Sequence, residues 1–434
     1  MTALRARGAR LVLRAVDVRD GEWRALAWSF AYFFSLLCAY YVLRPIRDEM
    51  GITGGTRALP WLFTGTFVAM LACVPLFGLV VKRYRRSRFI PAVYWFFIAN
   101  IVGFWALLEF DIGKVYVARA FFIWTSVFNL FVVSVFWSFM ADIFSNAQGR
   151  RLFGFIAAGG TAGTIVGPLL TVQFAVAIGP ANLMLISAAL LVFAIYCVRR
   201  LALLAQPHPD PDRPAEPPAI GGGILAGIAE TARSPYLLGI CLFMLLFTAT
   251  STVLYFEQAE IVKNAFAGSA ERTRVFAFID LAVSTLTILT QALLTGRIMK
   301  RFGVTTALTV LPLATALGFA LLAAQPTVAL LVGFQIVRRT ADYAITRPAR
   351  EVLYTVVTRE QKYKAKNFID TVVYRGGDAI SGWVYSGLAR GLGLDIAAIA
   401  LLCVPMGLLW AGIAWALAKT QDKMAQDKIA GAKS

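Results

Sequence analysis

Long apolar runs, broken at short intervals by small charged clusters, fix what this chain can fold into. Stretches such as "RALAWSFAYFFSLLCAYYVL" and "LLCVPMGLLWAGIAWALA" are long enough to cross, as helices, a hydrocarbon core about 30 Å thick. Of the 434 residues 59% are hydrophobic and 15% charged, where a soluble protein keeps about a quarter charged. The expectation is an all-α membrane protein with many spans.

The net charge of +18 would suit a nucleic-acid partner if it gathered on one soluble face. Instead, clusters such as "KRYRRSR" (82–88) and "KYKAK" (362–366) alternate with apolar runs, as in loops that orient membrane helices. The expected partner is therefore the lipid bilayer, with no nucleic acid. Cys38, Cys73, Cys197, Cys241 and Cys403 all lie inside apolar runs and read as packing residues, so neither disulfides nor a metal site is expected. The lone His208 sits in a proline-rich stretch, which leaves zinc chemistry and Ser-His-Asp catalysis almost without raw material. Neither an enzyme nor a cofactor is expected. The apolar run after the basic N-terminal segment is too long for a signal peptide, and no small-residue cleavage site follows, so the first span is expected to stay.

Twelve apolar runs mark candidate helices near 25–43, 59–81, 89–110, 115–141, 152–178, 182–202, 236–263, 274–296, 303–323, 327–346, 367–389 and 394–418. After the sixth, "AQPHPDPDRPAEPPAIGGG" (205–223) reads as a flexible tether. The domain expectation is a six-helix bundle over 1–202, a Pro/Gly-rich cytoplasmic linker over 203–232 and a second six-helix bundle over 233–434. An even number of spans puts both termini on one side. Most of the 42 Lys and Arg fall in short segments on that side, which makes it cytoplasmic.

The halves resemble each other. "GLVVKRY" (78–84) follows helix 2, and "GRIMKRF" (296–302) follows helix 8, its counterpart. Parallel repeats of this kind point to a two-lobed transporter with a site between the lobes. The loop after helix 2 resembles that of the major facilitator superfamily through Gly78, Arg83, Arg85 and Arg86, and the repeat does so through Gly296, Arg301 and Gly303. Lys82 and Lys300 stand where that family has an acidic residue. The resemblance implies twelve transmembrane helices in two pseudo-symmetric bundles.

Charged groups inside or beside the spans are the candidates for function. In "YYVLRPIRDEMG" (40–51), Arg44 and Arg47 share a helix face, and Asp48 lies one turn beyond Arg44. A guanidinium within a bilayer costs roughly 2.5–3.5 kcal/mol even on a lenient scale, so such groups face a wet cavity or a partner; their planar donors suit carboxylate and phosphate. The alternative is that both reach the outer surface or pair with Asp48 and Glu49. Helix 7 offers Glu257 and Glu260, again three apart. A repeat offset of 213, taken from "FI" at 155–156 and 368–369, maps Arg44 and Arg47 onto them. An external gate follows, in which an anionic substrate competes for the arginines; two independent surface clusters are the alternative. Helix 10 carries Arg338, Arg339 and Asp342, and helix 11 carries Asp370, Arg375 and Asp378. The pairs Arg338–Asp342 and Arg375–Asp378 have spacings that also allow simple neutralisation. Gly159, Gly163 and Gly167 recur every fourth residue, which lets membrane helices approach closely.

The segments "VLRPIRD", "FWSF" (136–139) and "RPAREVLYTVVTREQKYKAKNFID" resemble the bacterial and plastid ADP/ATP translocase family. The matching residues are Leu43, Arg44, Arg47 and Asp48, then Pro348, Arg350, Glu351, Tyr354, Lys362, Lys364, Lys366, Ile369 and Asp370; Glu257 falls at a family acidic position. The resemblance implies transport of phosphorylated nucleotides, often by exchange, in a bacterial inner membrane. Asp342, Arg347, Thr125 and Asn129 depart from the family pattern.

The leading expectation is therefore a monomeric secondary active transporter that moves a small organic anion, nucleotide-like by resemblance, by alternating access. Arg44, Arg47, Arg339 and Arg375 are the expected anion contacts. Asp48, Glu257, Glu260, Asp370 and Asp378 are expected as gate or counter-charge residues, and Lys362, Lys364 and Lys366 at the cytoplasmic entrance. The alternatives are a proton-coupled symporter or drug exporter, with a carboxylate such as Glu257 or Asp370 carrying the proton, and a non-transporting scaffold or receptor.

Overall fold

The computed structural model describes residues 18, 19, 21–83, 86–204 and 224–431; of 74–83, 86–88, 146, 224–226, 359, 360, 363, 429 and 431 it describes the backbone only. The tether 205–223, with His208, and Arg85 lie outside the described residues, as do the side chains of Lys82, Arg83 and Arg86.

Among the described residues every regular element is helical. In chain order they are α1 (Glu22–Thr53), a 3-10 turn (Thr56–Ala58), α2 (Leu59–Arg83), α3 (Arg86–Glu109), α4 (Lys114–Ile143), α5 (Asn146–Leu204), α6 (Ile224–Arg233), α7 (Pro235–Ala265) and α8 (Ser269–Thr290). There follow α9 (Gly296–Ala324), α10 (Val328–Ala341), α11 (Arg347–Leu353), α12 (Arg359–Phe368), α13 (Tyr374–Ser386) and α14 (Ile396–Gly431). Four five-residue π segments, Gln291–Thr295, Asp342–Thr346, Ile369–Val373 and Gly387–Gly391, interrupt this second half. Starts are capped by local chemistry. Ser234 accepts from Leu237 N ahead of Pro235 at the start of α7, Thr327 caps α10, and Thr358 with Gln361 forms a capping box on α12.

Seven described helices are long and apolar enough to cross a membrane. Two of them, Ala147–Leu204 with 58 residues and Ser269–Ala324 with 56, would measure about 85 Å if straight, far beyond the core thickness. Each is broken by a glycine in a conformation that L side chains avoid: Gly179 at φ 82° and Gly303 at φ 75°. A Cβ at either would meet nothing within 4 Å, so the backbone angle alone demands glycine. These breaks fall where the sequence separates candidate helices 5 from 6 and 8 from 9.

The chain divides into two compact units. Unit 1 comprises residues 1–54, 68–213 and 268–281, and unit 2 comprises 55–67, 214–267 and 282–434. Unit 1 is packed around aromatic side chains. Phe33 stacks on Phe136 with ring centroids 4.1 Å apart, and Tyr32 meets Tyr94, Phe136 and Phe139 edge-on. The "FWSF" segment thus supplies core. Gly159, Gly163 and Gly167 lay α5 against the backbone of α1: a Cβ on them would stand 2.5, 2.5 and 2.7 Å from the carbonyl oxygens of Phe30, Phe34 and Cys38. The four-residue spacing is a contact seam. Unit 2 is packed around Phe243, Phe247 and Trp410.

Several boundaries differ from the sequence expectation, and the last helix runs to Gly431 rather than 418. Helix 1 was expected over 25–43 but runs to Thr53, because Pro45 within it removes one backbone bond without ending the helix; the arginine–aspartate cluster therefore rides on its last turns. Helix 10 continues beyond 346 through a π segment to Leu353, and helix 11 begins eight residues early, at Arg359. Residues 224–232, at the end of the expected linker, form α6, whose apolar positions recur at helical spacing.

Candidate functional site

In unit 1 the last turns of α1 and residues 272–280 of α8 gather six charged groups. Arg44 Nε lies 3.6 Å from Asp280, and its guanidinium sits over the Tyr41 ring. Arg47 pairs with Asp48 at 3.2 Å, donates from Nε to the Phe122 carbonyl at 3.2 Å, and stacks 3.9 Å from the Phe122 ring centroid. Glu49 is completely buried and takes both forks of Arg272, from Nε at 2.7 Å and Nη2 at 2.8 Å, with a third bond from Thr53 at 2.7 Å. Arg272 and Asp280 were missed by sequence reasoning. The signal was an aspartate inside the apolar run of helix 8, eight residues and so about two turns from Arg272.

In unit 2 the charges cluster on α7, the α10–α11 helix and the α12–α13 helix. Asp342 pairs with Arg347 at 3.1 Å, and Arg347 also lies 4.3 Å from the Tyr343 ring. The sequence spacing also allowed Arg338 to neutralise Asp342, but the ion pair that Asp342 makes here is with Arg347. In the π segment Asp342–Thr346 each turn holds more residues than in an α-helix, so the residue five positions on comes to face the aspartate. Arg338 turns instead to α7, where it donates to Ser251 Oγ and the Phe247 carbonyl and lies over the Phe247 ring. Arg339 lies 6.0 Å from the Tyr343 ring. Arg375 and Asp378 do meet, at 3.7 Å, and Asp378 accepts from Thr252 on α7 at 3.1 Å. Asp370 lies 3.7 Å from Arg350, an arginine that the sequence reading took only as a matching residue.

Glu257 is completely buried, and neither carboxylate oxygen has a hydrogen-bond partner among the described residues. Glu260, one turn on, lies 3.7 Å from Lys263. It lines a cavity of about 550 Å³ with Arg57, Lys263, Tyr385, Arg390 and Asp395. On α12, Lys366 is bound to Glu351 at 2.7 Å, while Lys362 and Lys364 are half-buried.

Two kinds of ion pair can be told apart. Charge-assisted N–H···O bonds are about 2.7–2.9 Å long. Glu49–Arg272 falls in that range, whereas Arg44–Asp280, Arg350–Asp370 and Arg375–Asp378 stand at 3.6, 3.7 and 3.7 Å.

A family model described as the Major Facilitator Superfamily matches residues 25–341. The "ADP,ATP carrier protein 1" of Chlamydia muridarum (strain MoPn / Nigg) is 21% identical over 447 residues, spanning 85% of this chain and 82% of that one. Two solved structures share the fold. The nucleoside transporter NupG is 15% identical, with a TM-score of 0.63 over 94% of this chain and 99% of that one. The POT family transporter PepTSo is 13% identical, with a TM-score of 0.66 over 92% and 98%.

Proposed function

Since this chain belongs to the major facilitator superfamily of membrane transporters, we propose that it is a secondary active transporter for a phosphorylated nucleotide or closely related organic anion. The observation that carries this reading is the set of guanidiniums, Arg44 in a helix long and apolar enough to span and Arg350 and Arg375 in α11 and α13, that stand 3.6–3.7 Å from carboxylates. Hydrogen bonds to charged groups are worth about 1.5–3 kcal/mol each; a phosphate that replaces a long ion pair with such bonds gains specific affinity. Resemblance of the Arg44, Arg47 and Asp48 segment to the ADP/ATP translocases, and a relative named an ADP,ATP carrier, favour nucleotides over other anions.

In this reading twelve spans form two six-helix bundles joined through 203–232, with both termini cytoplasmic in a bacterial inner membrane, and the monomer works by alternating access. Gly179 and Gly303, which break the two longest helices, support that count. Arg44, Arg47, Arg339 and Arg375, joined by Arg350, bind the anion. Asp48, Glu257, Glu260, Asp370 and Asp378 serve as gate and counter-charge, and Lys362, Lys364 and Lys366 draw the anion towards the cytoplasmic entrance.

One observation favours a second reading. A carboxyl such as Glu257, buried within a span and without a hydrogen-bond partner, is the natural carrier of a coupled proton. Uptake of labelled ATP into proteoliposomes separates the two. Exchange requires nucleotide inside the vesicle and ignores an imposed pH gradient; symport follows the gradient into empty vesicles. Absence of nucleotide uptake under both conditions refutes the nucleotide assignment.

A further inference from the structure

The cavity of about 550 Å³ in unit 2 has a size usual for small-molecule sites, which run from about 300 to 1,000 Å³. One side of it is apolar and aromatic, with Leu394 beside the rings of Phe256 and Tyr385, which meet edge to face at 5.1 Å. The other side is charged: three cations, Arg57, Lys263 and Arg390, stand against two carboxylates, Glu260 and Asp395. Both carboxylates are engaged. Glu260 lies 3.7 Å from Lys263, and Asp395 accepts at 2.8 Å from the backbone N–H of Ala398, capping α14.

The two guanidiniums are left over. Arg390 donates from Nη2 to the Arg57 carbonyl at 3.0 Å, which ties the two arginines together through a neutral acceptor. Neither has a carboxylate partner among the described residues. In the orientation proposed above all three cations sit at the external ends of their helices, where the rule that orients membrane helices does not place them. Their charge therefore serves something other than topology. Planar guanidinium donors suit phosphate oxygens, and an aromatic face beside them suits a planar base. We propose that this cavity is an outer docking site for a nucleoside phosphate, with the phosphate at Arg57 and Arg390 and the base against Tyr385. Its residues differ from the anion contacts Arg339, Arg350 and Arg375, and it rests on the nucleotide reading only for the choice of ligand.

The test is photolabelling of the purified full chain in detergent with 8-azido-ATP, read by mass spectrometry of its peptides. Label is expected on the peptides that carry Phe256 or Tyr385, displaced by excess ATP but not by excess adenosine, which lacks the phosphate. Arg57→Ala/Arg390→Ala should lower it at least about fivefold, the upper worth of one exposed ion contact. Arg57→Ala alone keeps the Arg390 bond, which uses the backbone carbonyl, and should lower the label even if the double variant does not fold. Arg375→Ala should leave it in place. The proposal is overturned by absence of label on both peptides, by displacement with adenosine, by label unchanged in the folded arginine variants, or by its loss in Arg375→Ala. Label without nucleotide uptake by proteoliposomes refutes transport and keeps the docking site; uptake without label does the reverse.

Discussion

Replacing Arg272 by Ala should be among the most damaging single changes in unit 1. The structure gives Glu49 three donors: two from Arg272 at 2.7 and 2.8 Å and one from Thr53 at 2.7 Å. Removal of the guanidinium takes two charge-assisted bonds of about 1.5–3 kcal/mol each and strands a carboxylate that has no exposed surface. Loss of one partner from a buried ion pair costs about 3–5 kcal/mol, and the two figures agree. Arg272 itself is 12% exposed, so it can turn outward when its partner is removed, and Glu49→Gln should cost less than Arg272→Ala. The double variant Glu49→Gln/Arg272→Ala should melt above Arg272→Ala alone, since a neutral amide is cheaper to bury than a carboxylate. Melting temperatures of the four proteins in one detergent form a double-mutant cycle with a coupling of at least about 1.5 kcal/mol. Strict additivity, or an Arg272→Ala protein that melts with the wild type, would refute the reasoning.

Arg375→Ala should reduce nucleotide uptake by about 10- to 150-fold, the equivalent of one charge-assisted contact, and lower the melting temperature less than Arg272→Ala does, because Arg375 is 34% exposed and stands 3.7 Å from Asp378; proteoliposome uptake beside a thermal melt reads both. Glu257→Gln breaks no hydrogen bond and should not lower the melting temperature, but it should abolish uptake driven by a pH gradient if the symport reading holds and spare counterflow if exchange holds. Gly163→Leu should prevent recovery of monodisperse protein, since even its Cβ would stand 2.5 Å from the Phe34 carbonyl oxygen; Gly154→Ala, where a Cβ meets nothing within 4 Å, should be recovered like wild type by size-exclusion chromatography.

The helical class and the membrane setting were legible in the apolar runs, because burial in lipid is a property of composition over some twenty residues. The glycine seam was legible too, since a four-residue spacing on a helix has one geometric meaning. Register inside the charged helices was not. The Arg338–Asp342 alternative assumed 3.6 residues per turn, while Asp342 pairs with Arg347; a π segment changes the count locally, and nothing in "DYAIT" announces it. The Arg272–Glu49 bond joins residues 223 apart in the chain, a distance over which spacing rules carry no information. The Arg375–Asp378 pair is local and was legible for that reason.

The seam between α1 and α5 also bears on motion. Where the glycines of α5 meet the carbonyl oxygens of α1, few side-chain atoms lie between the two helices to change rotamer and absorb a displacement. A tilt of α1 is therefore expected to carry with it the stretch of α5 around Gly159, Gly163 and Gly167. Whatever deformation transport demands of this unit must be taken up elsewhere along its length.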